Sequence, residues 1–65
     1  MSGDQDEMRR FRHDLANPLA ALLAETQLLL LNEASLDSET VQGLREIEAL
    51  ARRMRDMLAA TKPTA

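Results

Sequence analysis

His13-Asp14-Leu15-Ala16-Asn17-Pro18-Leu19 is the stretch on which the reading of this chain turns. It holds the single histidine of the sequence and one of its two prolines. A carboxylate follows the imidazole directly, and a carboxamide lies four residues on, about one helical turn away. In a helix that spacing puts His13 and Asn17 on one face with Asp14 beside them. Pro18 has no N–H, so the Asp14 carbonyl four residues back loses its helix partner and a local kink is expected.

Outward from this stretch the pattern is helical from about Glu7 to Asn32. Met8, Phe11, Leu15, Leu19, Leu22, Leu29 and Leu30 recur at steps of three and four. Ala20, Ala21, Ala24 and Glu25 add helix propensity. About 25 residues make a helix of roughly 38 Å, a length typical of bundles. Residues 1–6 read as a flexible lead-in whose acidic side chains suit a helix N-terminus.

Glu33 to Asp37 breaks the pattern, and Asp37 or Ser38 can cap a second helix with Glu39 near its positive end. That helix runs to about Ala60 on Val41, Leu44, Ile47, Ala51, Met54 and Leu58, with Leu50 and Met57 widening the stripe. Gly43 weakens it by about 1 kcal/mol relative to alanine. Lys62-Pro63 is a stop signal, and residues 61–65 read as a tail. A connection of about five residues makes the helices antiparallel neighbours. The expected fold is therefore all-α, an antiparallel two-helix hairpin over residues 7–60. One hairpin cannot shield two apolar stripes, so two copies are expected to pair as a four-helix bundle.

Composition narrows the function classes. A 65-residue chain buries little surface and usually needs staples or a partner. Cysteine is absent, which removes disulfides and thiolate metal sites and fits a cytoplasmic setting. Met1 to Glu7 is polar and acidic, the opposite of a signal peptide. Asn17, Pro18, Glu25 and Gln27 interrupt the richest apolar stretch, so no membrane insertion is expected. Phe11 is the lone aromatic and the net charge is -3, which argues against a nucleic-acid binder. One histidine with Asp14 and Asn17 is too few ligands for a metal.

On a helical wheel the apolar stripe of the first helix centres near Leu15, Leu19 and Leu22, and His13 falls roughly 150° away. It is expected to face solvent. His13-Asp14-Leu15-Ala16-Asn17-Pro18-Leu19 resembles the H-box of two-component sensor histidine kinases, in which histidine, an acidic residue, two further residues, asparagine or threonine, and proline follow in order. Met8 to Phe11 and the second helix, closing with Arg53-Met54-Arg55-Asp56-Met57-Leu58, are similar to the rest of the dimerisation and histidine-phosphotransfer (HisKA-type) domain. The resemblance covers about residues 7–60. Ala16 departs from it, because the family often carries a basic or polar residue there. Monomeric phosphotransfer domains are less similar, since they usually place a lysine and a glycine after the histidine.

The resemblance implies that His13 accepts a phosphoryl group as part of a homodimer that exchanges it with the aspartate of a response-regulator receiver domain. The residue types suit that chemistry. A neutral imidazole nitrogen is a good nucleophile near pH 7. Asp14 can hydrogen-bond the imidazole and act as general base and acid. Asn17 can orient a water for dephosphorylating a bound regulator. No glycine-rich nucleotide loop is present, so no cofactor is expected on this chain, and ATP and magnesium would act only through a separate ATP-binding kinase domain.

Charge adds an independent hint. Arg9, Arg10 and Arg12 start the first helix and Arg52, Arg53 and Arg55 lie near the end of the second, so an antiparallel hairpin gathers them beside His13. Such a collar suits a phosphoryl group or an acidic receiver pocket; arginines paired with Glu7, Asp14 and Asp56 on solvated faces are the plain alternative. Ala20, Ala24, Gln27 and Leu31 continue the His13 face as a docking strip for a regulator, although helix propensity explains the alanines equally well. The competing function is a non-catalytic dimerisation or adaptor hairpin that binds a kinase or sequesters a response regulator.

Overall fold

A computed structural model describes residues 2–60, with side chains from residue 3 onward. Two helices form a hairpin. α1 spans Ser2–Leu30, α2 spans Ser38–Ala60, and a short 3₁₀ turn at Glu33–Ser35 lies between them. The Lys62-Pro63 stop and the 61–65 tail fall outside the described residues.

α1 begins at Ser2, well before Glu7, so the acidic lead-in is the first turn and more of the helix. Asp4 lies near the positive end, and Asp6 pairs with Arg9 at 3.6 Å one turn on. The helix continues through Pro18 without interruption. It ends two residues earlier than the pattern predicts. The Leu31 N–H is shared between the carbonyls of Gln27 (3.1 Å) and Leu28 (3.2 Å), and the Asn32 N–H reaches Leu29 at 3.1 Å. That tightening to three-residue spacing is how a helix end satisfies its last carbonyls.

The 3₁₀ turn is held by the Leu36 N–H on the Glu33 carbonyl (3.0 Å), and the Ser35 hydroxyl donates to Asn32 O just before it (2.9 Å). The Asp37 carbonyl accepts from the Val41 N–H at 3.0 Å, which makes Asp37 the residue from which α2 starts. Arg45 on α2 reaches back to the Glu33 carboxylate at 2.7 Å and ties the connection to the helix.

The core is thin. Among the described residues only Leu19 (6% exposed), Thr26 (3%) and Ala51 (1%) are buried. Arg12, Leu23 and Leu30 are half-buried along the line that Leu19 and Thr26 define on α1. That line is rotated by roughly 45° from the centre of the leucine stripe. The rotation follows from Ala51, whose small side chain gives α2 a place where the two backbones can approach. Leu22 is consequently left 49% exposed, beside Phe11 and Leu29 at 60% and 53%. On α2 the same side of the hairpin carries Ile47, Leu50, Met54 and Met57, all exposed. The radius of gyration is 15.5 Å, against about 11 Å for a compact domain of this length. A rod 53 Å long and 15 Å across has little interior to offer these side chains.

Candidate functional site

The stretch His13–Leu19 lies at the middle of α1, and the groove that His13, Ala16 and Leu19 line is closed on the other side by residues from the last turns of α2. His13 and Asp14 are both well exposed, with side chains 74% and 70% accessible. His13 Nδ1 lies 3.7 Å from Asp14 Oδ1, near enough for charge interaction and too long for a hydrogen bond. The carboxylate is on the Nδ1 side of the ring, so Nε2 is the nitrogen turned away from it. Asn17 is exposed one turn further on, and its side chain makes no hydrogen bond among the described residues. The three residues thus share a solvent-facing surface, as their spacing requires, without a fixed network between them.

His13 also borders a groove between the helices, of about 550 Å³. Arg9, Arg12 and Arg55 also line it. Ala16, Ala20 and Ala24 line the α1 side, Leu58 and Ala59 the α2 side, and Leu19 and Leu23 also contribute. The small residues create the groove: alanines on successive turns leave space that larger side chains would fill. Gln27 marks the far end, so three members of the strip predicted below His13 line this groove. The fourth, Leu31, is 83% exposed.

The six arginines do not act alike. Arg9 pairs with Asp6 and Arg55 with its neighbour Asp56 at 3.4 Å, both on solvated surface, and Arg52 pairs at 3.1 Å with the half-buried Glu48. Arg12 differs. Its Nε is buried and has no hydrogen-bond partner among the described residues. Burying such a donor unpaired is costly, so Arg12 is a point of unmet hydrogen-bonding capacity.

Glu48 is the site residue that periodicity did not single out. Its Oε2 accepts from Gln27 Nε2 across the helix pair at 3.3 Å and from Arg52 at 3.1 Å. These bonds, that from Arg52 first, hold the Glu48 carboxyl below its usual range. The pair Gln27–Glu48 crosses between the helices at the far end of the groove from His13. Its partners are 21 positions apart, and only the register of the hairpin brings them together.

Comparison with family models, with curated proteins and with solved structures gives no match. Among the described residues no helix is long and apolar enough to cross a membrane, and no three histidine or acidic side chains gather where they could hold a metal ion.

Proposed function

We propose that this chain is a phosphoacceptor module of the two-component type, carrying a phosphoryl group on His13 for exchange with a receiver-domain aspartate. The observation that carries the reading is the placement of His13. It is an exposed imidazole with an acid on its Nδ1 side, bordering a largely apolar groove that three arginines also line. A histidine with a packing role would be enclosed, and this one contributes nothing to the core. In the proposed reaction Nε2 attacks the phosphorus of the receiver's aspartyl phosphate, the P–O bond to the aspartate breaks and its carboxylate leaves, and Asp14 receives the proton from the opposite nitrogen. Asn17, one turn away and unengaged, is free to position a water in the reverse, hydrolytic direction.

The working form in this reading is a homodimeric four-helix bundle. The ten large apolar side chains left exposed on the described residues support it, since a hairpin alone has no means of covering them. The partner is a receiver domain, and the groove below His13 is where it would dock. The function is that of a transferase component in a phosphorelay, placed in the cytoplasm.

Incubation with an aspartyl-phosphorylated receiver tests the reading. Acid-labile, base-stable phosphate on His13 is the expected product. Tight binding of the receiver without transfer would replace this reading with the adaptor one.

A further inference from the structure

We infer that the N-terminal part of α1, up to about Asp14, pairs with the same segment of a second copy as a parallel two-stranded coiled coil. The inference rests on the homodimer of the proposed function and fixes the direction in which its two copies run. It starts from the stagger of the hairpin. Gln27 meets Glu48 across the helix pair at 3.3 Å. Ala60, the last described residue of α2, lies twelve positions past Glu48 and so stands level with Leu15, twelve positions before Gln27. Helices of roughly 43 and 35 Å in a rod of 53 Å agree, since they overlap over only about 25 Å. Among the described residues, no turn of α2 therefore lies beside α1 over residues 2–14.

Met8 and Phe11 are exposed on that segment, and Leu15 is half-buried at its end. Their spacing of three and then four residues is the seam of a two-stranded coiled coil. Pro18, Leu22, Glu25 and Leu29 continue the same line, and the proline and the glutamate are wrong for a seam. There α2 supplies the missing apolar groups. By the same register Met57 stands level with Pro18 and Leu50 with Glu25, and both are exposed. Two-stranded pairing thus belongs to the segment that α2 leaves bare, and four-stranded packing to the rest.

Charge selects the partner and its direction. Glu7 and Arg12 flank the seam on opposite sides, each about 70° from it. Neither has an ion pair among the described residues. In a parallel coiled coil a flanking residue faces, across the seam, the partner's residue five positions further on. Glu7 and Arg12 are five positions apart, so a second copy running the same way presents Arg12 to Glu7, twice by symmetry. His13 falls roughly 170° from the seam, which keeps both imidazoles on the outside of the pair.

The chain has no cysteine, so one introduced thiol reports on one position. Met8→Cys places it on the seam and Arg10→Cys on the far side of the same helix. Sedimentation fixes the oligomeric state of the reduced proteins, and mild oxidation is then followed on a non-reducing gel. Met8→Cys is expected to couple about tenfold faster than Arg10→Cys, because a disulfide needs like positions close together. Glu7→Lys and Arg12→Glu are each expected to weaken association about tenfold, and the double variant to recover most of the loss. Contacts within one chain would not give that rescue, since the two residues lie on different faces of α1. Dimers in which both thiols couple at equal rates, or a double variant no better than the singles, overturn the parallel pairing and leave the bundle standing. Equal, slow coupling is also the result expected if the chain's own residues after Ala60 cover Phe11. Monomers throughout overturn both.

Discussion

Gln27 and Glu48 meet side chain to side chain across the hairpin, with Gln27 Nε2 donating to Glu48 Oε2 at 3.3 Å. Arg52 donates to the same oxygen from one turn along α2. The carboxylate thereby joins the two helices beside the groove that Gln27 lines. Its charged form is the one these donors favour.

Acid should therefore weaken the hairpin through Glu48. Its folded pKa is lowered, so the stability it adds is fully present above the unfolded value of about 4.3 and fades as pH falls through the folded one. Glu48→Gln removes that increment. Thermal melts from pH 7 to pH 3 are expected to show the wild type ahead at neutral pH and the difference closing below about pH 4. A difference that stays constant or grows in acid would overturn the assignment.

How far the sequence can be read is clear from which residues it identified. The helices and their antiparallel order follow from periodicity, because apolar steps of three and four survive whatever the partner surface is. The exposed histidine follows from the same wheel. Thr26 was not legible as core, because its hydroxyl marks it polar; in the structure that hydroxyl donates to the Leu22 carbonyl at 2.8 Å, satisfying it within the helix. The rotation of the contact line away from Leu22 was not legible either. Hydrophobicity identifies which residues avoid water, whereas the line of contact depends on where backbones can approach, and here Ala51 decides that. Gln27–Glu48 depends on register, which the connection sets and composition does not.

Ala51 is 1% exposed at the contact line, so added volume there must push the helices apart. Ala51→Leu is expected to cost about 1–3 kcal/mol. Leu19→Ala, which empties the other side of the contact, is expected to cost about 2 kcal/mol, the low end for a buried leucine because this core is thin. Urea melts at one fixed protein concentration measure both. A neutral result at either position would show that the helices do not meet along this line.

The open apolar face gives a test of association. In an isolated hairpin Leu22 and Met54 are 49% and 45% exposed, and a surface substitution there should change stability by about 0.5 kcal/mol or less. In a dimer the same side chains enter the interface, and a buried glutamate is strongly destabilising. Leu22→Glu and Met54→Glu are expected to convert a dimer into monomer in sedimentation equilibrium and to lower a concentration-dependent melting temperature. A wild-type chain that sediments as a folded monomer at micromolar concentration would end the bundle proposal.

His13 and Asn17 are expected to separate chemistry from structure. Both side chains point away from the contact line, so His13→Ala should leave helicity and association nearly unchanged while abolishing phosphate uptake. Asn17→Ala should accept phosphate normally and lose phosphatase action toward a bound receiver. A large fall in melting temperature for His13→Ala would assign the histidine a structural role. Equal loss of uptake and phosphatase action in Asn17→Ala would mean the carboxamide is not a water-positioning group.

Self-labelling from ATP is not expected of this chain. Transfer from a nucleotide requires donors that cradle the triphosphate and carboxylates that hold magnesium, commonly built on a glycine-rich turn. The two glycines here, Gly3 and Gly43, both lie within helices, and neither has a positive φ. Among the described residues the groove is lined from the two helices alone, and its alanines and leucines suit a helix surface better than a triphosphate. His13 would then receive its phosphoryl group in trans, from a kinase domain or a phospho-aspartate. Radiolabelled ATP with magnesium and the purified chain should give no label, and adding a kinase catalytic domain should give label that His13→Gln abolishes. Label in the first tube would mean that this hairpin binds nucleotide after all, and the groove beside His13 would be the place to look for it.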